Sequence, residues 1–461
     1  MAEVSQKTKV FGYLPNEAPA FGQMVLLGFQ HVLTMLPATV LVALLVGFDV
    51  GTVLTVSGMA TLTALLLSKV WIGKFIPLYY GSSFSYIAAT LTLTGAQFGT
   101  YAGESVQLAQ VGIVATGIVN ILVGFLISAV GKDALDKVLP PVLTGSVALV
   151  IGVTLGGDAL EKASTNWVVA IVTLVATVVF SVYLQGKGFI GLLPILFGAV
   201  VGYGVSLLFF DGLVDFSPVA AANWFTVPRF TLPAFGSPRA WESVAAIAII
   251  AIATIPESTA HLYQISLYVD KLADDLGKER YHLSDAIGKN LVLDGLGDLI
   301  NGLFGGVAGT NYGENNSLMA ITRNYSGPVL MTAAVIAMLL GFVGKLAALV
   351  NTIPLAVTGG LSIYLFGVIG MQGIALIQSE KVNLFDPRQL AVGAAVTIIS
   401  IGGQILGGYI PIVVPGVFPN GLPCIAAGAV FGILLNLLFV IVPPSVFGVA
   451  VPENLEDMPA P

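Results

Sequence analysis

The chain has 461 residues, of which 56% are hydrophobic and only 9% charged, with a formal net charge of −7 and a mean hydropathy of +0.94. Soluble domains carry about 25% charged residues, so this composition excludes an ordinary globular protein and points to the membrane. No basic block is present to bind nucleic acid, and a single cysteine, Cys424, excludes an intrachain disulfide or a cysteine metal cluster.

In chain order, residues 1–20 are polar, contain Lys7 and Lys9, and lead straight into a long apolar stretch, so no signal peptide is expected. At about 20 residues per helical span, the apolar runs divide into roughly fourteen segments. They lie near 22–46, 49–69, 76–94, 111–131, 139–157, 167–185, 190–210, 241–269, 287–308, 310–326, 328–350, 353–378, 389–407 and 416–442. Two connections stand out: 211–240, rich in Pro and aromatics and expected on the outer side, and the charged stretch 270–289. With a cytoplasmic amino terminus, fourteen of the 18 Lys and Arg fall on the inner side, and Lys162, Arg229, Arg239 and Lys345 fall outside. That bias predicts a multi-pass protein with both termini in the cytoplasm. The stretch after residue 443 is short, so an appended soluble domain is not expected.

A phrase recurs along the chain. Residues 80–90 read YGSSFSYIAAT and residues 312–322 read YGENNSLMAIT, with Tyr80/Tyr312, Gly81/Gly313, Ser85/Ser317, Ala88/Ala320 and Thr90/Thr322 in register. LPPVLTG at 139–145 likewise echoes IPLAVTG at 353–359. Two groups of seven spans put the second half in the opposite orientation, the inverted-repeat plan of many secondary transporters.

The polar residues concentrate in two places. Glu257 and His261, in IPESTAH, are four apart near the middle of their run and therefore share a helix face. Ionisable groups at membrane depth cost at least ~2.5 kcal/mol each by insertion scales and line cavities or pathways. His31 also falls in a span, where a histidine satisfied by its neighbours is at least as good a reading. Glu314 follows Gly305, Gly306, Gly309 and Gly313, with Asn311, Asn315 and Asn316 nearby, so an unbroken helix is not expected there. The pattern predicts an extended stretch ending near Tyr312 and a helix from about Glu314, with a counterpart extended through Pro77–Tyr80 and helical from about Ser82. Two half-helix amino ends would then meet around a polar cavity. Two carboxylates and a histidine, with no Arg or Lys near them in sequence, disfavour an anion. They complement a flat neutral heterocycle that carries both N–H and C=O groups. Phe84, Tyr86, Tyr312 and Phe366 are candidate apolar walls. A poorly hydrated carboxylate also readily takes up a proton, which makes Glu257 and His261 the candidates for proton coupling.

The segments QHVLTMLPATVLV at 30–42, YYGSSFSYI at 79–87, PESTAH at 256–261, TNYGENNSLMAITR at 310–323 and IPLAVTGGLSIYLFGVIG at 353–370 resemble the nucleobase–ascorbate transporter family. Within it, the likeness is to the bacterial uracil and uracil–xanthine permeases. The resemblance implies an all-α polytopic fold of fourteen spans in a seven-plus-seven inverted repeat, with short strands in spans 3 and 10. Between a tail at 1–21 and another at 443–461, it implies a core domain from 22–131 and 241–350 and a gate domain from 139–210 and 353–442. Carried over residue by residue, Glu257 and Glu314 become substrate-binding carboxylates and His261 a substrate and proton-coupling partner. Phe84, Tyr312 and Gly313 would contact the base, Ala38 would lie close by, and Phe366 would close the pocket from the gate side. It further implies a homodimer in the bacterial cytoplasmic membrane, carrying a nucleobase with protons and needing no cofactor or metal.

Two departures from the family pattern bear on substrate. Ser317 occupies a position that is usually Gly, and Asp294, twenty residues before Glu314, looks like the xanthine transporters. Asp294, Asn315 and Ser317 are thus secondary candidates, and Asp294 and Asp298 are as readily read as structural hydrogen-bonding groups. Uracil is favoured over xanthine. An anion transporter of the related sulfate or bicarbonate type is a weaker alternative, because its site should want positive charge where this chain has Glu314. An intramembrane enzyme is not supported, with only His31, His261 and His282 and no HExxH.

Overall fold

The computed structural model describes residues 12–131, 137–415, 418 and 420–443. Lys7, Lys9 and Lys132 of the charge-bias argument, and most of both tails, lie outside the described residues.

The first half runs α1 (Phe21–Val46), α2 (Val50–Ile72), β1 (Tyr80–Ser82), α3 (Ile87–Thr94), α4 (Glu104–Val130), α5 (Pro141–Thr154), α6 (Gly156–Ser164), α7 (Trp167–Tyr183) and α8 (Pro194–Phe209). The second runs α9 (Ala251–Leu276), α10 (Ile287–Phe304), β2 (Gly309–Asn311), α11 (Gly313–Thr322), α12 (Gly327–Leu340), α13 (Gly344–Asn351), α14 (Leu355–Ser379), α15 (Pro387–Ile405), β3 (Tyr409–Ile410), β4 (Leu422–Pro423) and α16 (Cys424–Ile441). Among the described residues, seven helices of 18 or more residues are apolar enough to cross a membrane. Trp167–Tyr183, Pro194–Phe209 and Gly327–Leu340 are shorter apolar helices.

Local chemistry sets the element ends. Asp49 caps α2 by accepting the Thr52 N–H at 2.8 Å. Asn166 caps α7 through Val169 N–H at 3.2 Å, and Ser326 caps α12 through Val329 N–H at 3.3 Å. Pro141, Pro194 and Pro387 open their helices, where a missing N–H leaves no gap in the bonding.

Several expected boundaries move. The eighth segment is a helix that continues from Ala240 to Leu276, interrupted by a π-helical turn at Val244–Ala248 and containing Pro256. The eleventh breaks at Gly341–Val343 into α12 and α13. The fourth begins at Glu104, seven residues earlier than expected, because Val106, Leu108 and Ala109 are buried and draw the chain into helix.

Helix packing falls into two groups. α4 packs on α10, α2 on α12, and α1 on α12; α14 packs on α5, α6 and α7, and α15 on both α5 and α16. Glycines permit the closest crossings. A Cβ on Gly117 would lie 2.6 Å from Gly295 O, and one on Gly51 would lie 2.5 Å from Gly341 O. Without a hydrophobic driving force between helices in lipid, such backbone approach supplies the packing energy. The end of α9 and the charged connection after it are fastened down: Arg323, just past α11, pairs with Asp275 at 2.6 Å, and Glu17 of the amino-terminal segment pairs with Lys278.

Candidate functional site

The site is built on the two short strands, which pair antiparallel with Tyr80 opposite Asn311, Gly81 opposite Thr310 and Ser82 opposite Gly309. A two-stranded ribbon inside a membrane must have its outer edges satisfied by protein. On the β1 side, Tyr80 O accepts from Ser57 Oγ at 2.7 Å and Thr61 Oγ1 at 2.9 Å, and Thr61 Oγ1 in turn accepts the Tyr80 N–H at 3.0 Å. On the β2 side, Gly309 N–H donates to Asp298 Oδ1 at 2.7 Å, while Asn120 Nδ2 donates to Asp298 Oδ2 at 3.1 Å. Asp298 therefore terminates the ribbon, which matches its structural reading.

The second copy of the repeated phrase takes the expected form, extended to Tyr312 and helical from Gly313. The first does not. Ser82 is in the strand, and Ser83 accepts the Ser85 N–H at 3.3 Å to start a 3-10 turn at Phe84–Tyr86. The α-helix begins only at Ile87. The expected helix start at Ser82 is displaced because Ser82 is recruited to the ladder and the Ser83 N–H donates to Ala308 O at 3.0 Å. The two half-helices are unequal.

α11 carries Glu314 in its first turn, and no side chain caps its amino end. Its first N–H groups are thus available to a partner, and a carboxylate there is favoured by the helix dipole. Glu257 and His261 occupy successive turns of α9 and are half-buried. Glu257 interacts electrostatically with both His261 and Glu314, so the structure brings the three groups into one site. Gly313 stands directly against the imidazole, where an added Cβ would lie 2.9 Å from His261 Nε2.

The other candidates divide. Ala38 is buried on α1, and Phe84 is half-buried on the 3-10 turn against the apolar core that also contains Ala38 and Tyr312. Tyr312 is buried with its polar groups committed to the fold. Its hydroxyl donates to Ser82 O at 3.0 Å and meets Thr39 Oγ1 at 2.8 Å, its N–H donates to Tyr79 O at 2.8 Å, and its ring stacks on Tyr79. Only its ring is left for a ligand. Ser317 returns its hydroxyl to Gly313 O at 3.0 Å within α11. Asn315 turns away to α1, where its Nδ2 donates to His31 Nδ1 at 3.0 Å and to His31 O at 3.2 Å. His31 is thus satisfied by a neighbour, as its structural reading has it. Phe366 is buried on α14 and lines a cavity of about 290 Å³ with Leu149, Gly152 and Ile363, among the α5, α6 and α14 helices. Asp294 is buried on α10, one turn before Asp298.

Sequence reasoning passes over Ser258 and Asn290 and names Asn311 only as a neighbour of Glu314; all three join the site from behind. Asn311 Oδ1 lies 2.6 Å from His261 Nδ1, and Ser258 Oγ receives both Asn311 Nδ2 at 2.7 Å and Asn290 Nδ2 at 2.9 Å. A signal was present: Asn290, Asp294, Asp298 and Asn301 recur at helical spacing and form one buried polar face of α10.

Solved structures identify the architecture. The transmembrane domain of the cyanobacterial bicarbonate transporter BicA matches with a TM-score of 0.53 and 17% identity, covering 92% of this chain and 99% of that one. The structure of SLC26A9 matches with a TM-score of 0.60 and 13% identity over 90% of this chain and 65% of that one. At these identities the likeness establishes the fold alone: a polytopic, all-α membrane protein built like the membrane domains of transporters. A family model described as a permease family matches residues 22–406, and the chain belongs to that family, the one its motifs resemble. Curated relatives agree. A uracil permease of Bacillus caldolyticus is 38% identical over 92% of this chain and 93% of its own. Uracil permeases of Escherichia coli K12 and Bacillus subtilis 168 are 36% and 34% identical over 84% and 92% of this chain, and over 86% and 94% of their own.

Proposed function

We propose that the protein imports a nucleobase, uracil foremost, across the bacterial cytoplasmic membrane by proton symport. The observation that carries this reading is the meeting of Glu257, His261 and Glu314 at the uncapped amino end of α11. Two carboxylates accept N–H groups, and free backbone N–H groups donate to carbonyl oxygens. A uracil ring carries both kinds of group on one edge. The names of the relatives support the same substrate class. Glu314 at the helix end works against an anionic substrate, so the shared fold of the bicarbonate transporter does not extend to its cargo.

In this reading Glu257, His261, Glu314 and Gly313 hold the base, Phe84, Ala38 and the Tyr312 ring wall it, and Phe366 closes it from the gate side. Glu257 with His261 takes up the proton. Residues 22–131 and 241–350 form the core, 139–210 and 353–442 the gate, and the two halves are inverted repeats of seven spans in each protomer of a homodimer. Supporting the repeat, the α4–α10 crossing at Gly117 and Gly295 has a counterpart in the α2–α12 crossing at Gly51 and Gly341. Alternating access then moves core against gate.

The test is uptake of radiolabelled uracil in transport-deficient cells, with unlabelled xanthine, thymine and 5-fluorouracil as competitors. Saturable uptake displaced by 5-fluorouracil is expected. Uptake displaced by xanthine alone would move the substrate to a purine, and no uptake or competition by any base would remove the reading.

A further inference from the structure

Residues 224–241 form a strap across the ends of α4, α10 and α12, and its polarity is reversed. Trp224 O accepts the Gly344 N–H at 3.1 Å and Thr226 N–H donates to Phe342 O at 2.9 Å, at the break between α12 and α13. Thr231 exchanges two bonds with buried Gln110 of α4: its Oγ1 donates to Oε1 and its O accepts from Nε2, both at 2.8 Å. Ala234 N–H donates to Gln107 O at 2.9 Å. Arg229, the sole charged residue from 216 to 238, stands over the Tyr101 ring at 4.4 Å. These polar groups are all turned to the protein. The large apolar side chains are turned away from it. Trp224 is 76% exposed and Leu232 70%, and Phe225, Val227, Phe235 and Trp241 are each more than half exposed.

A loop surrounded by water takes the opposite arrangement, because contiguous apolar surface is driven out of water. Pro228 and Pro233 restrict the backbone, and the bonds to α4 and to the α12–α13 break hold it. The apolar face is therefore held outward and is not free to fold back. What covers it follows from its position. The strap meets Gly305 at the end of α10, where an added Cβ would lie 2.9 Å from Thr231 Oγ1. The last turns of α10 and α12 carry exposed Leu303, Phe304 and Leu339, and Trp241 stands at the start of the long helix that continues to Leu276. The face thus runs on from the exposed apolar sides of the helices, at the level where those helices end. Aromatic rings are favoured at that level of a bilayer, and an arginine can lay its stem on apolar surface while its head reaches a phosphate.

We infer that residues 224–241 are an interfacial anchor whose partner is phospholipid: the aromatic face enters the boundary between headgroups and acyl chains, with Arg229 at the phosphates. In the proposed topology this is the outer leaflet, and the helices anchored are those of the proposed core. The anchor does not rest on the substrate reading above.

Tryptophan fluorescence of the full chain in lipid bilayers tests this. The chain has four tryptophans, so Trp71→Phe and Trp167→Phe, combined with either Trp241→Phe or Trp224→Phe, leave one reporter. Phosphatidylcholine brominated close to the headgroup should quench either reporter more than lipid brominated near the chain ends, giving a depth of about 5–10 Å into the headgroup–acyl boundary. Iodide, present on both sides of the membrane, should quench them weakly. Quenching by iodide with no loss to either brominated lipid would put the strap in water and overturn the inference. Protection from both quenchers would overturn it too, since a protein surface, such as a second copy of the chain, would then cover the face. A spin label on Leu232→Cys in a Cys424→Ser background keeps all four tryptophans and guards against a misfolded reporter. It should be relaxed more by dissolved oxygen than by a water-soluble nickel chelate, and the reverse order would contradict the anchor.

Discussion

At the residue scale, three side chains and one missing side chain define the proposed site. Glu257 and His261 come from α9 and Glu314 from the start of α11, directly after β2, and Gly313 leaves room for the imidazole. Replacing Glu314 by Gln keeps the shape and removes the charge. Losing a hydrogen bond to a charged acceptor costs about 1.5–3 kcal/mol, so uracil affinity should fall roughly 10- to 100-fold, measured as KM for uptake or Kd by calorimetry. Gly313→Ala should be more damaging than its single methyl suggests. The added carbon would sit 2.9 Å from His261 Nε2 and displace the ring, so uptake should drop at least about tenfold while the amount of protein in the membrane is unchanged. Full uptake in Gly313→Ala would mean that the ring is not held against α11 when the base binds.

At the element scale, the ribbon is the part on which the rest depends. Asp298 accepts from both Gly309 N–H and Asn120, and Asp298→Ala leaves two buried donors without a partner. Each costs about 1–3 kcal/mol, so the midpoint of thermal unfolding in detergent should fall by several degrees; an unchanged midpoint would show that the ribbon edge is satisfied some other way. Much at this scale was legible from sequence. The glycine and asparagine run before Glu314 announces a broken segment, and the extended stretch ends and the helix begins close to where expected. The first copy was misread because Ser82 and Ser83 look like a helix start by composition, yet the strand partner Gly309 lies more than 220 residues away. Pairing at that distance leaves no local trace. The same limit hides Ser258 and the role of Asn311, ordinary polar residues whose importance comes from the neighbours that folding supplies.

At the scale of the whole molecule, an apolar crevice of about 940 Å³ lies between helices of the proposed core and the proposed gate, with Val119 of α4, Ile252 and Ile255 of α9, and Ala426 and Leu434 of α16 among its walls. Such a seam, with apolar side chains as its described walls, suits sliding of one group of helices past the other. At its edge, buried Glu242 accepts from both Arg239 Nε and Nη2 at 2.9 Å and from the Tyr409 hydroxyl at 2.9 Å, which ties the start of the long eighth-segment helix to β3. A second meeting point offers a test. A Cβ on Gly408 would lie 3.7 Å from Thr92 Cγ2 of α3. Paired cysteines there, in a Cys424→Ser background, should stop uptake on oxidation and restore it on reduction. Because Gly408 has φ +91°, uptake by the reduced protein sets the reference. Undiminished uptake by fully cross-linked protein would exclude motion at this boundary.

The central claim is that Glu257, with His261, carries a proton together with the base bound at Glu314. It is tested most directly by recording external pH and radiolabelled uracil uptake together in proteoliposomes. Wild-type protein should alkalinise the medium as uracil enters, and Glu257→Gln should lose that proton movement while uracil exchange at equilibrium persists. Uracil entry without alkalinisation in wild type, or undiminished alkalinisation in Glu257→Gln, would contradict the account.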